Sequence, residues 1–318
     1  MIVDPAIAAL RSEPASQRRL RAKMDQAHAQ WRERHDVALL LADIAKYQAG
    51  EAIEQLPALS QLMSSLRKAR SMVEDWVAAF TPVLHEYPLA QLPMRHHHAG
   101  GFTSMQLASA GGVALSLSVY AGCETYSAAT SAVFCDRDMH VLVLFGEARA
   151  VFYELKQSGV GAQIERSELT LGAGSMLASI GTDQSRQYER VKGRLVVLQL
   201  SRVPETPALT REYAISSGQL LLQSSGDKRA SQQEMAMAVL SALDRKDAAP
   251  VLAAMTQEGP DHMRWEALRH TLALDAGEGM VALERVSRSS SDPLHRPAKQ
   301  LMQQLRISYP QLAEMEAA

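Results

Sequence analysis

The chain has 318 residues, with 33 Lys and Arg against 35 Asp and Glu, and a formal net charge of −2. A charge so close to balance argues against broad electrostatic binding to nucleic acid or to acidic membranes, because both need a basic excess. Hydrophobic residues make up 47% of the sequence, which suits a globular protein of two or three domains.

Cysteine use and the N-terminus predict a soluble, cytoplasmic protein. Cys123 and Cys135 are too few for a disulfide framework, and their spacing matches no zinc pattern. The N-terminus has Asp4 and Pro5 where a signal peptide needs a basic start and an apolar run. Apolar stretches such as HVLVLF are far shorter than the roughly 18 residues of a membrane span.

Residues 1–90 are predicted to form a helical layer. HDVALLLADIAKYQAGEA carries an apolar run that stops at Gly50, and a second helix starts with Pro57 in its first turn. Pro82 and Pro88 are expected to end the layer.

Basic residues gather in the first part of this layer, within RSEPASQRRLRAK. They are Arg18, Arg19, Arg21 and Lys23. Acidic residues lie close by in sequence, which favours a solvated helix face over a nucleic-acid patch. No sharp turn joins a short helix pair with a basic recognition face, so a helix-turn-helix is not indicated and no nucleic-acid partner is expected.

Residues 91–225 change to a period of two. In GGVALSLSVYAG, Val113, Leu115, Leu117 and Val119 fall on one face, and the alternating residues, ending at Tyr120, fall on the other. Further short apolar runs follow, separated by turns rich in Gly, Ser and Asp. Several strands without intervening helices predict an antiparallel β-barrel or sandwich.

Residues 230–318 return to helix and contain an internal repeat. A small residue recurs every 31 positions and a leucine follows seven positions later, at Ala236, Ala267 and Ala298 and at Leu243, Leu274 and Leu305. Helix pairs at such a period are typical of an α-solenoid, and these segments resemble HEAT-like repeats. An ordinary helical bundle is the alternative. The fold class predicted for the whole chain is therefore α+β and multidomain.

The stretch DRDMHVLVLFGEARAVFYEL resembles the central hairpin of a cupin, with Gly146 and Glu147 at the chain reversal. Gly172 and Gly174 resemble a second turn, and the residues that follow resemble a closing strand. The resemblance implies a double-stranded β-helix barrel, a metal held by two or three histidines and a carboxylate, and pairing into a homodimer. Here the first motif offers only His140 and the second offers no histidine, which favours a cupin-like scaffold without metal.

The triple histidine in RHHHAGGF is the second candidate for metal chemistry. On a strand, His96 and His98 point one way and His97 the other, so His96 and His98 could share a divalent transition metal such as Fe or Zn. His140 is the first choice for a third ligand. Other choices are Glu124, Asp136, Asp138 and Gln106. The competing interpretation is a polar turn or interface.

Two functions remain open from the sequence. The first is a non-enzymatic binding or regulatory protein, with a small-molecule ligand in the barrel and a protein partner on the C-terminal repeats. The second is a metal-dependent, cupin-type oxygenase or isomerase. In that case Tyr120, Tyr126, Tyr188 or Arg186 would orient the substrate.

Overall fold

The computed structural model describes residues 14–123, 129–158 and 161–309. The chain forms two compact units, of which the first ends at Ser224 and the second begins at Ser225. None of the helices in the described ranges combines the length and the apolar character that crossing a membrane requires.

The helical layer predicted for the N-terminal region is confirmed. Its elements are α1 (Pro14–Glu33), α2 (His35–Gln48), a 3₁₀ turn (Ile53–Gln55), α3 (Pro57–Ser64) and α4 (Leu66–Glu86). Pro57 is the first residue of α3, as predicted, and Gly50 follows the end of α2 with a φ of +102°. The expectation for Pro82 is wrong, because this proline lies inside α4, which continues to Glu86.

The predicted antiparallel strands are also confirmed. They are β1 (His96–Ala99), β2 (Phe102–Ala110), β3 (Val113–Cys123), β4 (Ser131–Phe134), β5 (Asp138–Ser158), β6 (Gly161–Leu171), β7 (Met176–Ser179), β8 (Gln184–Arg202), β9 (Thr210–Ala214) and β10 (Leu220–Ser224). The larger sheet has the order β1-β2-β3-β8-β5-β6, with β7 also paired to β5. The smaller sheet has the order β10-β9-β4.

The two faces of the larger sheet have different partners, as the alternation in β3 predicts. Val113 and Leu115 are buried in one core with α1 to α4, so we call their side of the sheet the helix face. Tyr120 packs with a second core that contains Val143 and Val197, and we call this side the far face. The residue pattern of one strand thus assigns the two faces correctly.

The larger sheet is open, so the barrel, one of the two architectures that the sequence predicts, does not close in the described residues. In the described residues, the edge strands β1 and β6 are not paired with each other. The reversal predicted at Gly146 and Glu147 is wrong as well, because both residues lie inside the continuous strand β5. The pairing of β5 with β8 shifts register around Gly146, which has a φ of +92°. The positive φ of Gly146, which would also suit a turn, here allows a β-bulge within the strand.

The C-terminal unit contains α5 (Lys228–Ala242), α6 (Ala249–Met255), α7 (Asp261–Leu274), α8 (Ala276–Arg288) and α9 (His295–Ser308). Ala267 and Ala298 are fully buried, in agreement with the 31-residue repeat. The first repeat unit departs from the pattern, because Ala236 is exposed, Leu243 is 66% exposed and the neighbouring Met237 is buried instead. The packing therefore repeats in two of the three units, and the HEAT-like solenoid stays a prediction.

Candidate functional site

The triple histidine occupies an exposed edge strand. His96 and His98 lie on β1 and are exposed. His96 is paired with Met105, which packs in the core under the helices, so His96 and His98 belong to the helix face and His97 to the far face. The His98 ring lies 2.7 Å (Nδ1 to Oγ1) from the hydroxyl of Thr103.

The structure does not bring His140 to this pair of histidines. His140 lies on β5, and β2, β3 and β8 separate β5 from β1, which is about 19 Å along the sheet at roughly 4.8 Å per strand. Across residues 14–123, 129–158 and 161–309, no three His, Cys, Asp or Glu side chains form a group that could hold a metal ion. A site made of His96, His98 and His140 together does not fit this geometry, and metal binding by the exposed pair stays a prediction.

The alternative ligands have other surroundings. Asp136 accepts a hydrogen bond from the Ala208 amide at 2.8 Å, and Asp138 forms an ion pair with Arg202 at 2.6 Å. Gln106 is paired with Ser116, on the far face. Glu124 lies outside the described residues.

His140 belongs to a cluster that joins α2 to the sheet. The guanidinium of Arg202 lies 4.2 Å from the centre of the Tyr47 ring and donates to the Tyr47 carbonyl at 3.1 Å. The His140 ring meets the same tyrosine edge-on, with centroids 6.3 Å apart. Burial lowers the pKa of His140, although Asp138 acts in the opposite direction. Burial in this cluster thus favours the neutral form of the His140 imidazole. The contacts indicate that His140 helps to hold α2 against the sheet.

We expect acidification to destabilise the protein through His140 and His28. Burial lowers the pKa of both imidazoles in the folded state from the ordinary value of 6.5. The unfolded chain therefore binds more protons as pH falls below about 6.5, and the folded state loses stability until pH reaches the folded-state pKa. Above that window the contribution is fully present.

Urea unfolding between pH 8 and pH 5 would measure this effect. His140→Gln and His28→Gln should each flatten the decline below about pH 6.5, and the double variant should flatten it further. Parallel profiles for the wild type and the double variant would contradict the assignment.

A row of rings crosses the far face from β1 to β8. It consists of His97, Phe102, Tyr120 and Tyr188, which we call the aromatic row. Successive ring centroids lie 6.1, 4.9 and 4.6 Å apart. The spacings suit tilted and edge-to-face contacts, which stabilise aromatic pairs beyond their burial. The row ends at Arg186, whose guanidinium carbon lies 5.6 Å from the centre of the Tyr188 ring.

Arg186 and Tyr188 carry buried polar atoms without a hydrogen-bond partner. In the described part of the chain, Nη1 of Arg186 and the hydroxyl of Tyr188 are both buried and unpartnered. The other guanidinium nitrogen of Arg186, Nη2, lies 3.0 Å from the sulfur of Met139, a weak acceptor. Buried polar groups are nearly always satisfied, so two unpartnered donors on residues that contact each other mark this part of the far face as the candidate site.

The surroundings of these two donors are apolar. Met139, Phe152 and Leu177 pack against the far-face core together with the ring of Tyr188. Burial raises the pKa of the Tyr188 hydroxyl, and the charge of Arg186 offsets part of this rise. The phenol therefore stays protonated at neutral pH and acts as a donor. A cation and a hydroxyl within an apolar wall can bind the oxygen atoms of a small molecule.

The sequence named three members of this site and missed another. Tyr120, Tyr188 and Arg186, predicted to orient a substrate, lie together, while Tyr126 lies outside the described residues. Phe102 was missed, since its position opposite Tyr120 depends on the register between β2 and β3. The Gly111–Gly112 turn between β2 and β3 is a sequence signal for this register, but the pairing also shifts between Gln106 and Ala108, which the sequence does not show.

Comparison with known proteins identifies no family. No protein-family model matches the chain, and no curated protein matches it. The chain is similar to the CENP-C cupin domain of Drosophila melanogaster at 12% identity and a TM-score of 0.27, over 34% of this chain and 74% of that one. A cupin superfamily protein from Desulfitobacterium hafniense DCB-2 is 22% identical, with a TM-score of 0.25, over 34% and 82%.

A third similar structure is a putative mannose-6-phosphate isomerase from Ralstonia eutropha JMP134, at 14% identity and a TM-score of 0.25, over 36% of this chain and 94% of that one. Cupin domains are among the structures to which the chain is similar. Similarity at these identities and TM-scores indicates neither a ligand nor an activity. The fold of this chain is described by its own strand order.

Proposed function

We propose that this chain is a non-enzymatic binding or regulatory protein. The far face of its larger sheet binds a small molecule at Arg186 and Tyr188, and its C-terminal helices bind a protein partner. The observation that carries the proposal is the pair of buried, unpartnered donors in an apolar wall. Leaving such groups unpaired costs free energy, which a ligand with acceptor oxygens would recover.

The helical unit supports the second half of the proposal. Met235 and Val239 on α5 and Leu243, the residue that caps its C-terminus, are all exposed and follow one another at intervals of four residues. This spacing places them on one side of the helix as an apolar stripe. Exposed apolar stripes on helices are typical of surfaces that bind another protein.

A thermal-shift screen with a metabolite library would test ligand binding. Compounds that stabilise the wild type should have little effect on Arg186→Gln, which removes the charge from the far face. Arg190→Gln is the matched control, because Arg190 is an exposed arginine on the same strand. This control should respond like the wild type.

Two further results would contradict the proposal. Conversion of a bound compound into a product, detected by mass spectrometry after incubation, would show an enzyme. About one equivalent of Fe, Mn, Ni or Zn in protein purified without chelator, lost in His96→Ala/His98→Ala, would favour the metal-dependent alternative.

A further inference from the structure

We propose that the ligand of Arg186 and Tyr188 is a small monocarboxylic acid with an apolar body. This inference rests on the proposed binding function and adds the chemical class of the ligand. It follows from three properties of the site, which are the charge of Arg186, the hydroxyl of Tyr188 and the apolar side chains around both.

Arg186 is a cation without a counter-ion among the residues that the structure describes. In the described residues it forms no ion pair, whereas Arg149 and Arg166, on the neighbouring strands β5 and β6, both pair with Glu189. A guanidinium keeps its charge at every physiological pH, so a half-buried one is stable only with an anion or strong acceptors. A carboxylate can accept two parallel hydrogen bonds from a guanidinium, and it supplies the negative charge that balances Arg186.

The single cation limits the charge of the ligand. In the part of the chain that the structure describes, Arg186 contacts Met139 and Tyr188, Tyr188 also contacts Tyr120, and no second Lys or Arg joins them. A phosphate dianion would leave one negative charge uncompensated in an apolar wall. A carboxylate carries one charge, and its second oxygen can accept the hydrogen bond of the Tyr188 hydroxyl.

The apolar wall requires the rest of the ligand to be apolar. Met139, Phe152 and Leu177 are only partly covered by the protein, although all three pack against the far-face core. The Ser104 and Ser118 hydroxyls on the same face lie 3.1 Å apart and satisfy each other, so they place no demand on a ligand. An aromatic or aliphatic acid would bury the exposed apolar surface and leave only its carboxylate to be matched.

Calorimetric titration of the full chain with matched acids and amides would test this class. The probes are benzoate, hexanoate and acetate, each beside benzamide, hexanamide and acetamide. Benzoate or hexanoate should bind at least about tenfold more tightly than its amide, because hydrogen bonds to charged groups are the stronger ones. Arg186→Gln should remove this preference, whereas Arg190→Gln should keep it.

Tyr188→Phe gives an independent readout that a structural role would not produce. Without ligand, the variant should melt roughly 2–4 °C higher than the wild type, since it removes a buried hydroxyl that has no partner. With saturating acid the order should reverse, because the wild type alone makes the hydrogen bond. Tyr153→Phe, on β5 but in a core separate from the far-face core, should not show this reversal.

The outcomes separate the ligand class from the binding function. Equal affinity for acids and amides, or a screening hit that depends on Arg186 while no acid binds, overturns the carboxylate and leaves the binding function standing. If neither the probes nor the library bind in an Arg186-dependent way, both proposals fall.

Discussion

Replacing Gly146 with alanine should destabilise the first unit by at least about 3 kcal/mol. A Cβ at this position would lie 2.0 Å from the carbonyl oxygen of Arg194 and 3.1 Å from the Cα of Leu195, both backbone atoms of the paired strand. The backbone also has a φ of +92°, which side chains with a Cβ rarely adopt. Both strands would have to separate at the bulge, so relaxation is costly. Chemical denaturation would measure the loss.

Two other glycines separate the causes of this loss. Gly181 has a φ of +80° but nothing within 4 Å of an added Cβ, so Gly181→Ala should cost only about 1 kcal/mol. Gly172 has neither a positive φ nor a close neighbour, so Gly172→Ala should be nearly neutral. If Gly146 lay in an open turn, as its sequence suggests, its variant would behave like that of Gly181.

The sequence could predict which elements form but not all of their connections. The alternation of apolar and polar residues assigns the two faces of β3, because the character of each side chain depends on the face to which it points. Gly146 shows the limit of such local information, since a Gly-Glu pair can reverse a chain or bend one strand. The choice depends on the pairing of β5 with β8, which brings together residues about fifty positions apart.

The candidate site shows the same contrast between residue types, which the sequence shows, and their placement, which depends on strand pairing. His96, His98 and His140 are plausible ligands as residue types, but the strand order places four strand spacings between β1 and β5. Tyr120, Tyr188 and Arg186 were selected for their chemistry alone, and the β3–β8 pairing then placed them together. Among the described residues, Nη1 of Arg186 has no hydrogen-bond partner, which is a property of the folded chain that no sequence pattern shows.

In the C-terminal unit, Arg264→Met should cost about 2–4 kcal/mol. Arg264 is only 11% exposed and Asp292 only 14%, and they pair between the start of α7 and the turn before α9. The same guanidinium donates to the Thr256 carbonyl at 2.8 Å and contacts Asp261 at 3.2 Å. The variant would leave the carboxylate of Asp292 without its cation in a nearly buried place. Hydrogen exchange should therefore accelerate across residues 249–308 and stay unchanged in residues 96–224.

A surface ion pair on the same helix provides the control. Arg269 is 62% exposed and contacts Glu266 at 2.9 Å, so Arg269→Met should change stability by less than about 0.5 kcal/mol. The Arg264 guanidinium, mainly through its hydrogen bond, lowers the pKa of Asp292, so this contribution is present at neutral pH and is lost as pH falls through the folded-state pKa. The difference between wild type and Arg264→Met should consequently shrink in acid. Equal effects of the two arginine variants would mean that the Arg264–Asp292 pair does not connect these helices.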